Sequence, residues 1–278
     1  MDWTPAALLE RLTNPPPVVT VVRLSGLISA AGGGMLRHGL HLGALAGVLD
    51  AAFSAKRLAA VALAVNSPGG SPVQSALIAK RIRALAEEKS IPVLAFVEDV
   101  AASGGYWLAC AADEIIVDDS SIVGSIGVVT AGFGLHEAIG RLGIERRLYT
   151  QGERKRMLDP FLPAKPEDVA RLKELQAEMH ATFKDYVRER RGTRLKAAGD
   201  ELFNGDIWTG RAAVALGLAD TVGDLRSMLR ARFGDKVRIR VVGQRRSWLR
   251  RLVRTQAGLA DEALAAVEER LAWGRWGL

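Results

Sequence analysis

Two stretches, RLAAVALAV at 57–65 and IPVLAFVED at 91–99, are apolar at almost every position. A strand with one face in water alternates polar and apolar side chains, whereas one covered on both faces has no need to. Neither run approaches the roughly 20 residues that a membrane-spanning helix requires. The chain between them, PVQSALIAKRIRALAEEK (72–89), has helical apolar spacing and a proline at an early helical position. Strand, helix, strand in this order predicts parallel strands with helices packed on both faces of the sheet.

The remaining segments continue that pattern. VVTVVRL (18–24) is β-branched and reads as a strand after the helix-stopping PPP at 15–17. HLGALAGVLDAAF, LHEAIGRLG and 166–191 read as helices. EIIVD (114–118), SSIVGSIGVVTAG, IERRLYT (144–150) and VRIRVV (237–242) read as strands, the second broken by glycines. The segment 205–229 reads as a turn, a short helix, GLAD and a further helix. The expected class is α/β with stacked βαβ units and a C-terminal helical extension. The expected division is an N-terminal segment 1–17, one domain over 18–243 and a basic amphipathic tail over 244–278.

Charge and cysteine content narrow the function classes. The net charge is +7, but residues 236–254 hold eight Lys/Arg and no acid, leaving 30 basic against 31 acidic residues elsewhere. A near-neutral body argues against nucleic-acid binding and confines the basic character to the tail. The single cysteine, Cys110, rules out an intrachain disulfide and reads as a small apolar helix residue. The N-terminus has no basic-then-apolar leader pattern, and cytoplasmic location is the expectation. No His/Cys/carboxylate grouping has metal-ligand spacing and no phosphate-binding glycine loop is present, so neither a metal nor a cofactor is expected.

In parallel α/β sheets, chemistry gathers in loops beyond the carboxyl ends of the strands. Three loops have that place: NSPGG (66–70), AASGG (101–105) and QGERKRM (151–157). In the second, small residues around Ser103 allow a sharp strand-to-helix turn with an exposed hydroxyl at a helix N-terminus. An N-cap serine followed by packing glycines accounts for the same residues, and position 101 is alanine, so the strict Gly-x-Ser-x-Gly elbow is absent. Gly69 and Gly70 let the backbone approach a ligand closely, with N–H groups available to an oxyanion; an ordinary Pro-Gly turn is the plainer reading. None of the four histidines, at 38, 41, 136 and 180, lies in these loops. Lysine replaces histidine as a base only where burial leaves its amine neutral, and Lys155 lies in the third loop, where a solvated lysine is the ordinary expectation.

NSPGG, AASGGYW, GSIGV, GERKRMLDP and WTGRAAVALGLAD occur in this order, which resembles the signal peptide peptidase A family over about 18–225. These are serine–lysine dyad proteases of the caseinolytic-protease/crotonase fold. The resemblance implies that Ser103 is the nucleophile and Lys155 the general base. It implies that Ser125 orients the lysine, and that Gly70, with Gly69 beside it and Gly104 as second donor, forms the oxyanion hole. It further implies peptide or protein substrates, apolar peptides such as signal-peptide remnants among them, and a ring-like homo-oligomer. An acyl-CoA hydratase or isomerase of the same fold, and a silent scaffold binding peptides or membranes, are the competing classes. In the tail, Trp248, Leu249, Leu252 and Val253 fall on one helical side, with Arg250, Arg251 and Arg254 on the other. Peripheral membrane contact through 247–273 and docking of that helix on the body or a neighbouring subunit are the two readings of this pattern.

Overall fold

The two apolar runs become the centre of an eight-stranded sheet. The computed structural model describes residues 15–29, 39–196 and 200–243, together with 270, 273 and 274; the tail expected over 244–278 lies outside them apart from those last three. The chain divides into two compact units, 1–126 with 186–278 and 127–185. The span expected as one domain contains both.

The first unit holds the whole sheet. Its strands are β1 (Val18–Ser25), β2 (Leu58–Ser67), β3 (Val93–Ala102), β4 (Glu114–Val117), β5 (Ile122–Gly124), β6 (Ile207–Thr209), β7 (Thr221–Val222) and β8 (Arg238–Val242). The main path runs β6-β5-β3-β2-β1-β8, with β4 joining β3 to β7. Every pairing is parallel except β5 with β6. Seven helices are described: α1 (Leu42–Phe53), α2 (Pro72–Lys89), α3 (Gly104–Ala109), α4 (His136–Arg141), α5 (Pro166–Arg191), α6 (Gly210–Leu216) and α7 (Leu225–Phe233).

The unbroken apolar run of β2 serves two different faces. Ala60, Ala62 and Ala64 share a cluster with Val19, Val21, Leu94, Phe96 and Leu229, closed by the α7 residues Leu225, Met228 and Phe233. The alternate residues Val61, Leu63 and Val65 are equally inaccessible and lie on the opposite face. There Thr20 Oγ1 donates to the Ala52 carbonyl of α1 at 3.1 Å. Alanines on one side and larger aliphatics on the other let helices approach both faces, and this is why β2 shows no polar alternation.

The second unit contains α4 and most of α5, joined by irregular chain. Here two expectations fail. IERRLYT (144–150) forms no strand, and of SSIVGSIGVVTAG only Ile122–Gly124 does. Strand propensity needs an edge to pair with, and residues 144–150 pair with no strand among the described residues. They are exposed throughout. Two short strands that the sequence pattern hides, β6 and β7, extend the sheet on the side of β3 away from β2, β6 through β5 and β7 through β4.

Candidate active site

Ser103 stands between β3 and α3 with φ 52 and ψ −121, a backbone region that L-residues avoid. It occupies the N-cap position, yet its hydroxyl makes no capping hydrogen bond. The capping explanation of this serine therefore fails. Its backbone is held at both ends: its N–H donates to the Gly124 carbonyl at 2.8 Å, and its carbonyl accepts from Trp107 N–H at 3.0 Å. The side chain is half-buried, neither engaged nor freely solvated.

The glycines on either side have steric reasons. A Cβ on Gly104 would run into Ser75 Oγ, and one on Gly105 into the Ser67 carbonyl. A Cβ on Gly69, at φ +101, would lie 2.8 Å from Ser103 Cβ, from the Ala102 carbonyl oxygen and from Gly104 N. The start of α3 thus rests directly on the Ser67–Gly70 loop. Gly105→Ala separates this packing from helix propensity. Propensity alone favours alanine by up to about 1 kcal/mol, whereas a methyl forced against backbone costs about 1–3 kcal/mol. The expected outcome is net destabilisation with reduced cleavage, read from the denaturant midpoint and the rate.

The N–H groups of the loop are not equivalent. Gly69 N–H donates to Ser67 Oγ at 3.2 Å, and that hydroxyl donates to the Gly26 carbonyl at 2.7 Å. Gly70 forms a bridge with Ile28 through its neighbours: Ile28 N–H donates to Gly69 and Ser71 N–H to Ile28, each at 2.8 Å. The N–H groups of Gly70 and Gly104 have no acceptor among the described residues. Two free donors beside a half-buried hydroxyl suit a developing oxyanion.

Ser125 is the residue after β5 and, like Ser103, has a positive φ, 51. Ala102 pairs with Gly124, so the two serines leave neighbouring parallel strands at the same level. Ser125 N–H donates to the Asp206 carbonyl at 2.7 Å. The first unit therefore brings together Ser103, Ser125, Gly69, Gly70 and Gly104. Lys155 belongs to the second unit, in a turn where its N–H donates to the Gly152 carbonyl at 3.1 Å, and it is exposed. That turn is anchored by Asp159, which accepts from Arg146 and from Phe161 N–H. Those hydrogen bonds, the Arg146 one above all, hold its carboxyl below the usual carboxylate range.

Cys110 ends α3 and is buried. Burial pushes its thiol up to about 12, which agrees with a packing role. Sequence reasoning missed Asn66, Ser67 and Ser121, which tie the strand ends under the site. The signal of Asn66 and Ser67 was present in the polar start of NSPGG but was masked by its glycines, and Ser121 lies outside that loop. No group of His, Cys, Asp and Glu with metal-binding geometry occurs among the described residues. Among them, too, no helix is long and apolar enough to cross a membrane.

Comparison with known proteins bears on family and fold. The chain is 50% identical over 275 residues to a Brucella abortus protein named Na(+)/H(+) antiporter NhaA, covering 94% of this chain and 37% of that protein. It is 32% identical over 217 residues to the chloroplastic serine protease SPPA of Arabidopsis thaliana, covering 77% of this chain and 32% of that one. The chain thus spans about a third of the length of these relatives. Among solved structures, the 1510-N membrane-bound stomatin-specific protease, as a mutant in complex with a substrate peptide, superposes with TM-score 0.51 at 14% identity. That match covers 91% of this chain and 98% of the other, and supports the caseinolytic-protease/crotonase-like architecture. The description of Peptidase family S49 matches residues 85–240, more than half the chain and including the strand and helix that flank Ser103: the chain belongs to Peptidase family S49.

Proposed function

We propose that this chain hydrolyses peptide bonds through an acyl-enzyme formed on Ser103, with Lys155 as the general base. The observation that carries the reading is the strained Ser103 backbone, its hydroxyl free of any capping bond beside the unpaired N–H groups of Gly70 and Gly104. In this cycle a neutral Lys155 amine takes the hydroxyl proton as Ser103 Oγ bonds to the scissile carbonyl carbon. The carbonyl electron pair moves onto oxygen, which the Gly70 and Gly104 N–H groups receive. The tetrahedral adduct collapses, the C–N bond breaks, and the lysine ammonium gives its proton to the departing amine. Water repeats the sequence on the ester. Ser125 orients the amine, and Gly69 permits the close approach of loop to nucleophile.

The base must be neutral, and a free lysine amine with its pKa of about 10.4 is almost wholly charged at pH 7. Since Lys155 is exposed in the isolated chain, the reading requires that bound peptide or a second copy of the chain excludes water from it. Self-association is supported by five large apolar side chains of the second unit that stand in solvent: Val129, Phe133, Leu142, Ile144 and Tyr149. Apolar peptides, signal-peptide remnants among them, are the proposed substrates.

The test is incubation with a mixed peptide library, with cleavage sites identified by mass spectrometry. Wild-type protein is expected to cut at defined apolar sites, and Lys155→Ala to lose about a thousandfold or more in rate at pH 7. Lys155→Ala cutting at the wild-type rate removes lysine from the mechanism.

A further inference from the structure

Strands β2 and β3 are out of step just before the nucleophile. Val65 pairs with Val97, but Ser67 pairs with Ala101, so β3 spends three residues, Glu98, Asp99 and Val100, where β2 spends only Asn66. The same place is where β3 changes partner, from β4 at Leu94–Val97 to β5 at Val100–Ala102. A bulge of this kind re-aims the chain that follows it. Here the chain that follows is Ala101, Ala102 and Ser103.

Side chains on both sides take up polar groups of the bulge. On the β5 side, Ser121 Oγ lies 2.6 Å from the Glu98 carbonyl and 3.2 Å from that of Val97, and accepts from Asp118 N–H at 2.9 Å. On the β2 side, Asn66 Oδ1 accepts from Val100 N–H at 3.2 Å, and Asn66 Nδ2 donates to Asp99 Oδ2 at 2.6 Å. The Asn66 carbonyl accepts from Gly26 N–H at 2.9 Å. One amide thus reads both a backbone donor and a side-chain acceptor of the bulge, with its own position fixed by β1. No aspartate, leucine or alanine can do both at this place.

We infer that Asn66 and Asp99 form a clip that sets the level at which Ser103 leaves the sheet, and that both are positioning residues for the nucleophile. The inference rests on Ser103 being that nucleophile. It differs from a stability role in what it demands of rate. A shift of Ser103 Oγ by a fraction of an ångström against the donors of Gly70 and Gly104 lowers turnover while leaving peptide binding in place. A bulge that merely tolerates Asn66 requires no such split.

The test exchanges the two side chains in the full-length chain, using the best-cleaved library peptide as substrate. Asn66→Asp faces the Asp99 carboxylate without a donor and is expected to lower kcat about tenfold or more with KM within about twofold. Asp99→Asn keeps an amide oxygen as acceptor but gives up the carboxylate charge that strengthens the bond, and is expected to lower kcat less. Asn66→Asp combined with Asp99→Asn restores the bond with its direction reversed. The amide then sits on β3 and donates to the carboxylate on β2, which still accepts from Val100 N–H. This double exchange is expected to return kcat to within about threefold of wild type. Circular dichroism and the thermal midpoint of each variant, taken well above the assay temperature, keep unfolding apart from misplacement. Unchanged kcat in folded Asn66→Asp overturns the inference. So does a double variant no better than the worse single one. Ser103→Ala runs alongside: substantial activity in that protein defeats the nucleophile assignment itself, independently of the clip.

Discussion

Ser103→Ala is expected to abolish cleavage, with a loss of about 10^4-fold or more in kcat, while leaving the fold intact. Removal of a serine nucleophile eliminates the covalent route and leaves only binding and oxyanion stabilisation, whose residual contribution is small. The stability side of this experiment is equally specific. The Ser103 side chain makes no capping bond, so truncation to alanine removes no fold-stabilising contact, and the thermal midpoint is expected to stay within a degree or two. Ser103→Gly is expected to be as inactive, yet at least as stable as Ser103→Ala. At φ 52 and ψ −121 glycine carries no steric penalty, and relief of a strained backbone is worth about 1–3 kcal/mol against a smaller entropic loss. An inactive variant that melts higher than its alanine counterpart is the signature of strain held at a reacting residue. Peptide cleavage by either variant at a rate near wild type removes the acyl-enzyme mechanism.

The sheet was legible because burial on both faces leaves an unbroken apolar run, and no other common environment explains RLAAVALAV and IPVLAFVED in succession. Helix α2 was legible to its ends, since Pro72 opens it and Ser90 at φ 53 closes it. The loop around Ser103 was visible as small residues around a serine, but their reason was not. That Gly104 faces Ser75 Oγ and Gly105 the Ser67 carbonyl is a fact about two loops that are distant in sequence. The bulge at Glu98–Val100 was hidden because strand periodicity reports which face a side chain takes, not how two strands are registered. IERRLYT misled for the complementary reason: its composition favours a strand, but a strand exists only where a neighbour supplies backbone partners. Lys155 was singled out by its place in the third loop, and its role as base was suggested by motif order alone. Nothing in GERKRM tells a buried amine from a solvated one, and in the structure the loop is organised by Asp159 and Arg146.

The largest expected loss of stability comes from a pair that the sequence presents as ordinary surface charge. Arg190 and Arg191 end α5 in the run RERRGTR, which reads as a solvated helix end. Instead Arg191 is 2% exposed, and it donates Nη1 and Nη2 to the two carboxylate oxygens of Asp220 at 2.8 and 2.9 Å and Nε to the Gly217 carbonyl at 2.9 Å. Asp220 also accepts from Ile115 N–H at 2.7 Å, at the start of β4. Between these, Tyr106 of α3 donates its hydroxyl to the Leu218 carbonyl at 2.7 Å, and Arg190 Nε and Nη2 donate to the carbonyls of Cys110 and Ala112. The end of α3, the 217–220 turn and β4 are therefore fastened by one guanidinium and its neighbour. Arg191→Met takes the bidentate partner from a carboxylate mostly withdrawn from water and the Nε donor from the Gly217 carbonyl, and is expected to cost about 3–5 kcal/mol, a large share of the stability of an ordinary domain. Its acid dependence has a definite sign. Burial by itself would raise the Asp220 carboxyl, but the hydrogen bonds from Arg191 and Ile115 N–H and the charges of Arg191 and Arg194 outweigh it and hold the group below its ordinary value. A carboxyl depressed in the folded state stabilises above its unfolded pKa of about 3.9 and gives that stability up as pH falls through the folded value. In Arg191→Met the same carboxyl keeps the Ile115 N–H but loses the two Arg191 hydrogen bonds and that charge, which moves it upward, so the deficit relative to wild type is expected to shrink as the solution is acidified toward about pH 4. Arg191→Met with Asp220→Leu removes both charges together and is expected to recover part of the loss. Urea unfolding at neutral and acidic pH measures both variants against wild type. A deficit for Arg191→Met below about 1 kcal/mol at pH 7, or one that grows toward acid, refutes the fastening role.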